Sequence, residues 1–479
     1  MTSDVGTASV PRVSVFTLTA MVVGSMVGAG VFSLPGRFAQ ETGALGAITA
    51  WAIAGTGTLM LAFVFQRLAM RKPDLDAGVY AYAKAGFGEY TGFIAAAGYW
   101  ASACIGNVVY WVLIMSTLGQ WIPALGDGGT IPAIALSSAG LWLFFFMVQR
   151  GTGRAASINR VVTVAKVVPI LVFIVLAVSI FDWDTFVGNM HGAEYTGSFF
   201  TQVRSTMLVM VFVFLGVEGA SVYSRYARRR EDVGRATVLG FLTVLSIFAS
   251  VTIVSYGTMP MADIAALNQP SMAGILNEAV GPWGSGFVSA GLIITVLGAY
   301  LAWTLMAAEV LYMASRGGDM PRFLSKLNHR QAPVNALLLS SSLAQVVLIL
   351  TYFSTDAFDF ALDMSAVMTL IPFFLAALYA FKIRLRNETY ETENQRIRRN
   401  DLIVASLAVA YTGFLVVAAG PHLLLISFIF YAPVSILFIL TRKEAGKRPF
   451  ARGELAAFAM ITALAVGAIV SLSAGWVVL

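Results

Sequence analysis

Glu218 places an acidic side chain inside an apolar run, in LGVEGAS (215 to 221), with Gly216 and Gly219 beside it. A carboxylate at bilayer depth is costly unless it is paired, protonated or facing a cavity, so Glu218 is a candidate for function, with helix pairing as the plainer alternative. Its neighbouring glycines each cost a helix interior up to about 1 kcal/mol relative to alanine, which makes unwinding cheap. The first apolar run holds a second such stretch, Gly24-Ser25-Met26-Val27-Gly28-Ala29-Gly30. Taken alone it also fits a GxxxG-type close helix contact. It is a poor nucleotide loop, because no strand precedes it and no βαβ unit is present. Paired with the Glu218 segment five spans later, it reads as the first of two discontinuous helices that each open a five-helix repeat.

Breaks of this kind carry a definite chemistry. Near Gly28, Ala29 and Gly30 the second half-helix would offer unpaired N–H donors and the positive end of its dipole, which suits an α-carboxylate. Carbonyls ending the first halves, around Met26 and Leu215, would accept from an α-ammonium. The two poles together fit a zwitterion, so an amino acid is expected rather than a sugar or nucleotide.

The elements that must hold these poles follow from composition. The chain has 479 residues, 58% of them hydrophobic and 12% charged, where soluble domains carry about a quarter charged residues. That excludes a soluble enzyme with one anchor and a single-pass receptor. Thirteen apolar runs can be drawn, near 14–36, 44–66, 88–122, 131–149, 156–181, 201–224, 236–258, 285–314, 334–353, 360–381, 401–419, 422–441 and 455–478. The first is expected to be a retained helix rather than a signal peptide, since no cleavage site follows it. The expected organisation is a tail over 1–13, a first repeat over 14–181, a second over 201–381 and C-terminal helices over 401–479.

With the N-terminus placed inside, alternate loops collect 28 of the 31 lysines and arginines, leaving Arg37, Lys166 and Arg204 elsewhere. This asymmetry predicts a cytoplasmic N-terminus in a cell membrane. It also turns the net charge of +6 into a topology and lipid signal, with no nucleic-acid partner expected. A lone cysteine, Cys104, and three scattered histidines exclude a disulfide framework and predict no metal or other cofactor. Neither the repeated filter of a channel nor the paired groups of a membrane hydrolase is visible, so no enzymatic activity is expected.

Several motifs carry a resemblance over nearly the whole chain: VGSMVGAGVFSLP, RKPDLDAGVYAYAKAGFGEY, GNVVYW, FLGVEGASVYSRYARRREDVGRATVLG and AWTLMAAEVLYMASRGGDMPRFL. The protein resembles the amino acid/polyamine/organocation transporters, and within them the arginine:ornithine antiporters of the basic amino acid branch. The resemblance implies an all-α multi-pass membrane protein with two inverted five-helix repeats in a LeuT-like arrangement, discontinuous first and sixth helices, and two or three C-terminal helices. It further implies alternating access and exchange of one cationic amino acid for another, arginine for ornithine. A lysine or other cationic amino acid permease, proton coupled through Glu218, is the alternative. A homodimer is compatible with this reading.

The resemblance also implies site residues. Met26, Ala29 and Gly30 would line the carboxylate and amino poles, with Phe212 and Leu215 opposite. Asn107, with Ser102 and Ala103 a turn before it, would meet the distal part of the substrate. Trp303 would cover its cationic group, Ser365 would supply a hydrogen bond, and Glu218 would act as a gate or coupling carboxylate. Read without the resemblance, Trp303 is as readily helix packing, and Asn107 an interhelical hydrogen-bonding residue. Lys166, in VAKVVPI, resembles the lysine that stands in for a coupling sodium in some relatives, with a snorkelling lysine as the alternative. Glu309, about two turns past Trp303, would pair with Lys166 or an inner gate, and Asp363 would attract substrate near the outer mouth. Phe212, Ala29 and Phe373 depart from the tryptophan, serine and tyrosine common in arginine:agmatine exchangers, which argues against that activity.

Overall fold

The computed structural model describes residues 14–75, 79–150, 155–192, 198–218, 230–391 and 393–475, and among them the regular structure is entirely helical. The helices of the first half are α1 (Val15–Met26), α2 (Leu34–Glu41), α3 (Ala44–Arg71), α4 (Val79–Phe87), α5 (Glu89–Gly119), α6 (Ile131–Gln149), α7 (Ala155–Ser179) and α8 (Trp183–Gly188). There follow α9 (Phe199–Ser205), α10 (Met207–Val213), α11 (Arg230–Ser255), α12 (Met261–Ala266), α13 (Ser271–Val280) and α14 (Pro282–Arg316). The last five are α15 (Val334–Leu350), α16 (Ala357–Leu385), α17 (Gln395–Ala418), α18 (Gly420–Glu444) and α19 (Arg452–Ser473).

All thirteen apolar runs contain helix. Among the described residues ten helices are long and apolar enough to cross a membrane, and Val15–Met26 with Gly30–Glu41 forms a further pair bent by 54°. In the fifth and sixth runs the shorter apolar helices are Lys166–Ser179, which follows residues whose side chains lie outside the description, and Phe199–Val213. The predicted tail, the residues Gly219 to Ser221, and the arginines 225, 228 and 229 also lie outside the described residues.

Polar residues at the mouths of the apolar runs start the helices. Ser14, Thr130 and Asp356 accept from the backbone N–H groups of Thr17, Ala133 and Asp359, each satisfying a donor that the first helical turn leaves open. Burial then sorts the helices into layers. The most apolar stretch of α5 is 94% buried and that of α19 only 17%, so α5 is the central post and α19 lies at the lipid-facing edge. Small residues give α5 that place. A side chain on Gly98 would come within 2.8 Å of the Met368 carbonyl and 2.3 Å of the Tyr431 hydroxyl, so this glycine lets α5 close on α16 and α18.

Loops assigned to one face by their basic residues meet in space. Arg67 and Arg71 of α3 pair with the buried Asp401 of α17, Lys84 with Asp319, and Arg442 with Glu89.

Candidate functional site

The first glycine-rich stretch is broken where the sequence places a break, and the helix before the second ends there. α1 ends at Met26, Val27 is extended (φ −72°, ψ 103°), and a 3-10 turn over Gly30–Ser33 leads into α2. The N–H groups of Gly28, Ala29 and Gly30 have no hydrogen-bond partner among the described residues, nor has the Met26 carbonyl. α10 ends at Val213 and gives way to turns from Phe214 to Glu218. At Gly216 φ is +102°, a left-handed value, and a Cβ there would lie 2.6 Å from the Ser25 carbonyl oxygen. Gly30 faces the same constraint, since its Cβ would sit 2.6 Å from Val213. The two breaks therefore lie against each other, and glycine is what allows it.

Between them and the neighbouring helices is a cavity of about 690 Å³, within the range of small-molecule sites. Thr17, Ala20, Met21, Gly24 and Ser25 form one wall at helical spacing along α1, from exposed Thr17 inward to the break. Ser102, Ala103, Gly106 and Tyr110 of α5 form a second. Phe212 and Leu215 bound it at the other break, and Ala299, Ala302, Trp303 and Met306 line it from α14. Lys166 reaches it from α7 and donates to the Gly24 carbonyl at 3.1 Å. Among the described residues no carboxylate lines the cavity.

A family model described as amino acid permease matches residues 13–439. The chain belongs to the amino acid permease family. It is 46% identical over 462 residues to the arginine/ornithine antiporter of Pseudomonas aeruginosa, with 95% of each chain covered. It is also 37% identical to the L-lysine transport protein of Corynebacterium glutamicum, over 98% of this chain and 97% of that one. To the arginine/ornithine antiporter of Latilactobacillus sakei it is 33% identical over 96% of each. The family expected from the motifs is thus borne out, and the protein is a multi-pass membrane transporter, not an enzyme.

The permease brings most of the predicted residues together. Met26, Gly28, Ala29, Gly30, Ser102, Ala103, Phe212, Leu215, Trp303, Ser365 and Lys166 all line the cavity. Three others do not. Asn107 is buried behind the α5 wall, where its amide donates to the Thr304 hydroxyl at 3.1 Å and its Oδ1 has no partner. Glu218 folds back onto its own break. Its Oε1 accepts from the Tyr99 hydroxyl at 2.6 Å and its Oε2 from the Gly216 N–H at 3.1 Å. Together the two bonds hold the turn in shape. Glu309 stands on an exposed face of α14, and the contact described for Lys166 is the Gly24 carbonyl.

Ser365 is in place but engaged. It donates to the Ser102 carbonyl at 2.9 Å while Ser102 donates to the Ser365 carbonyl at 2.7 Å, and Thr369 donates to the Ser102 hydroxyl at 2.5 Å. These bonds tie α5 to α16 and leave Ser365 only acceptor capacity toward the cavity.

Sequence reasoning missed Tyr110 and Met306. Tyr110 could have been found from spacing, because 102, 106 and 110 continue one face of α5. It also left Arg37 without a role. The structure buries Arg37 on α2 against Asp359 at 2.5 Å and Asp363 at 3.3 Å, both on α16. Asp363 is thereby part of an ion-paired cluster rather than a lone surface acid. On that side of the break Phe32, Leu34, Phe38 and Ala39 are wholly buried. The cavity wall thus runs from exposed Thr17 and Ala20 of α1 inward to the break, and beyond the break lie buried Arg37 and its apolar neighbours.

Proposed function

We propose that the protein is a secondary active antiporter that exchanges cationic amino acids across the cell membrane, arginine for ornithine, by alternating access. The observation that carries this reading is the row of N–H groups at Gly28 to Gly30, without a hydrogen-bond partner among the described residues, facing a cavity with Trp303 on its α14 wall. The α-carboxylate docks on those donors and the α-ammonium on carbonyls near Met26 and Leu215. The side-chain cation lies over Trp303, a contact worth about 2 kcal/mol when desolvated. The names of the Pseudomonas and Latilactobacillus relatives support this choice of cargo.

In this reading residues 14–181 and 201–381 are the two inverted five-helix repeats and 401–479 the added helices. The N-terminus is cytoplasmic, so the cavity wall that starts at exposed Thr17 faces the inside. Glu218, held by Tyr99 and Gly216, keeps the second break in register and acts as a gate. The ammonium of Lys166 on the Gly24 carbonyl takes the place of a coupling cation, which makes exchange independent of sodium. Arginine and ornithine carry equal charge, so the cycle is electroneutral. Counterflow in liposomes tests it: labelled arginine should enter only when ornithine or arginine is loaded inside, and uptake into empty liposomes at the same rate would refute exchange.

A second reading is lysine uptake coupled to protons through Glu218, which the Corynebacterium relative favours. Voltage-dependent lysine entry without internal substrate would select it.

A further inference from the structure

Tyr110 is 5% exposed, in the middle of α5, yet it lines the cavity. Its hydroxyl stands 3.4 Å from the point where a side chain on Gly28 would begin. Other deeply buried tyrosines spend that group: Tyr256 donates to the Thr42 carbonyl, Tyr411 bonds Thr58 and Tyr90 bonds Ser435. The Tyr110 hydroxyl has no partner among the described residues. The hydroxyl faces the cavity rather than the packed interior, where a ligand or a water can reach it, and it offers that space a polar group that phenylalanine at the same position would not.

We propose that Tyr110 is a substrate-binding residue whose hydroxyl donates a hydrogen bond to the α-carboxylate. Resting on the amino acid exchange reading above, this assigns a side-chain donor to a pole otherwise made of backbone. The location decides which end of the substrate it meets. A Cβ on Gly28 would meet this hydroxyl at 3.4 Å, and Gly28 is the first of the three N–H donors without a partner among the described residues, so an oxygen docked on that row lies beside the hydroxyl. The hydroxyl is neutral and can act as donor or acceptor, but next to a row of donors the incoming group is an acceptor. A phenol that donates to a carboxylate makes a charge-assisted bond, which is stronger than a neutral one.

Tyr110 therefore acts on what all the substrates share, not on what distinguishes them. The test is equilibrium binding of L-arginine, L-ornithine and L-lysine to the detergent-purified wild type and to Tyr110→Phe, alongside the thermal unfolding midpoint of each protein without ligand. Removing one hydrogen bond to a charged group should weaken every amino acid that the wild type binds by roughly tenfold or more, and by a similar factor for each. The unliganded midpoint should stay where it is, because the hydroxyl makes no hydrogen bond to a described residue. Unchanged affinity would overturn the assignment, as would a loss confined to one of the three amino acids, which would put the hydroxyl at the side-chain end. A lowered midpoint would give the hydroxyl a structural role instead. Failure of the wild type itself to bind any of the three would strike the exchange reading first and remove the ground on which this assignment stands.

Discussion

The hydroxyl of Ser25 shares its one proton between the Val22 carbonyl of its own helix, at 2.8 Å, and the carbonyl of Gly216 at 3.2 Å, across 191 residues of sequence. The longer of the two bonds ties the break after α1 to the turn at Gly216 at the wall of the cavity. It is possible only because Gly216 has a left-handed backbone and no side chain.

Gly216→Ala should be the more damaging change at this junction. The left-handed backbone costs an alanine about 1–2 kcal/mol, and the new methyl would press on the Ser25 carbonyl. Ser25→Ala removes a hydrogen bond, about 0.5–1.5 kcal/mol, and leaves the backbone alone. Thermal unfolding in detergent and exchange rates in liposomes should therefore rank wild type, Ser25→Ala and Gly216→Ala in falling order. Equal behaviour of the two variants would show that the junction bears no strain.

Trp303→Ala should raise the KM for arginine exchange by about tenfold or more, in line with the loss of a desolvated cation–π contact of about 2 kcal/mol. Trp303→Phe should recover part of the loss, since phenylalanine keeps a weaker negative face. A neutral amino acid that competes for the site should lose far less. If Trp303→Ala weakens neutral and cationic competitors alike, the indole is a packing element and not a cation platform.

Lys166→Ala should abolish or greatly slow exchange, because the Gly24 carbonyl loses the donor it now holds at 3.1 Å and the first break loses its positive charge. Replacing sodium by choline on both sides of the membrane should leave wild-type exchange unchanged. Sodium stimulation of the wild type would defeat the idea that the ammonium stands in for a coupling cation.

Arg37→Ala strands Asp359 and Asp363 on α16, and because both carboxylates are about a quarter exposed the loss should fall below the roughly 3–5 kcal/mol of a fully buried pair. The side of the cavity beyond the break, where Arg37 is buried, should open more often. With Cys104, the chain's sole cysteine, replaced by alanine, a cysteine placed at Val31 should react faster with a membrane-impermeant thiol reagent added from that side. Equal labelling with Arg37 intact and with Arg37→Ala would remove the cluster from any part in closure.

What could be read from the sequence was whatever is decided within one stretch of chain. Glycine costs in a helix are local, so the two breaks fall near Gly28 and Gly216 as expected. Hydropathy is local, so the apolar runs are helices. Some of the loops that gather basic charge meet in space, among the described residues through Arg67, Arg71, Lys84 and Arg442. Eleven predicted site residues line one cavity, because the family motif that names them is itself a record of such local stretches.

The tertiary structure decided who faces whom. Glu218 turns from the cavity to cap its own break because Tyr99 and the Gly216 N–H are there to receive it. Asn107 keeps an unused acceptor because Thr304 takes only its amide. Arg37 belongs to Asp359 and Asp363, more than 300 residues further along the chain. Sequence determines where a helix breaks and which faces are apolar, since both follow from neighbours a few residues apart. Which buried polar group meets which depends on how the helices pack, and packing is a property of the whole chain.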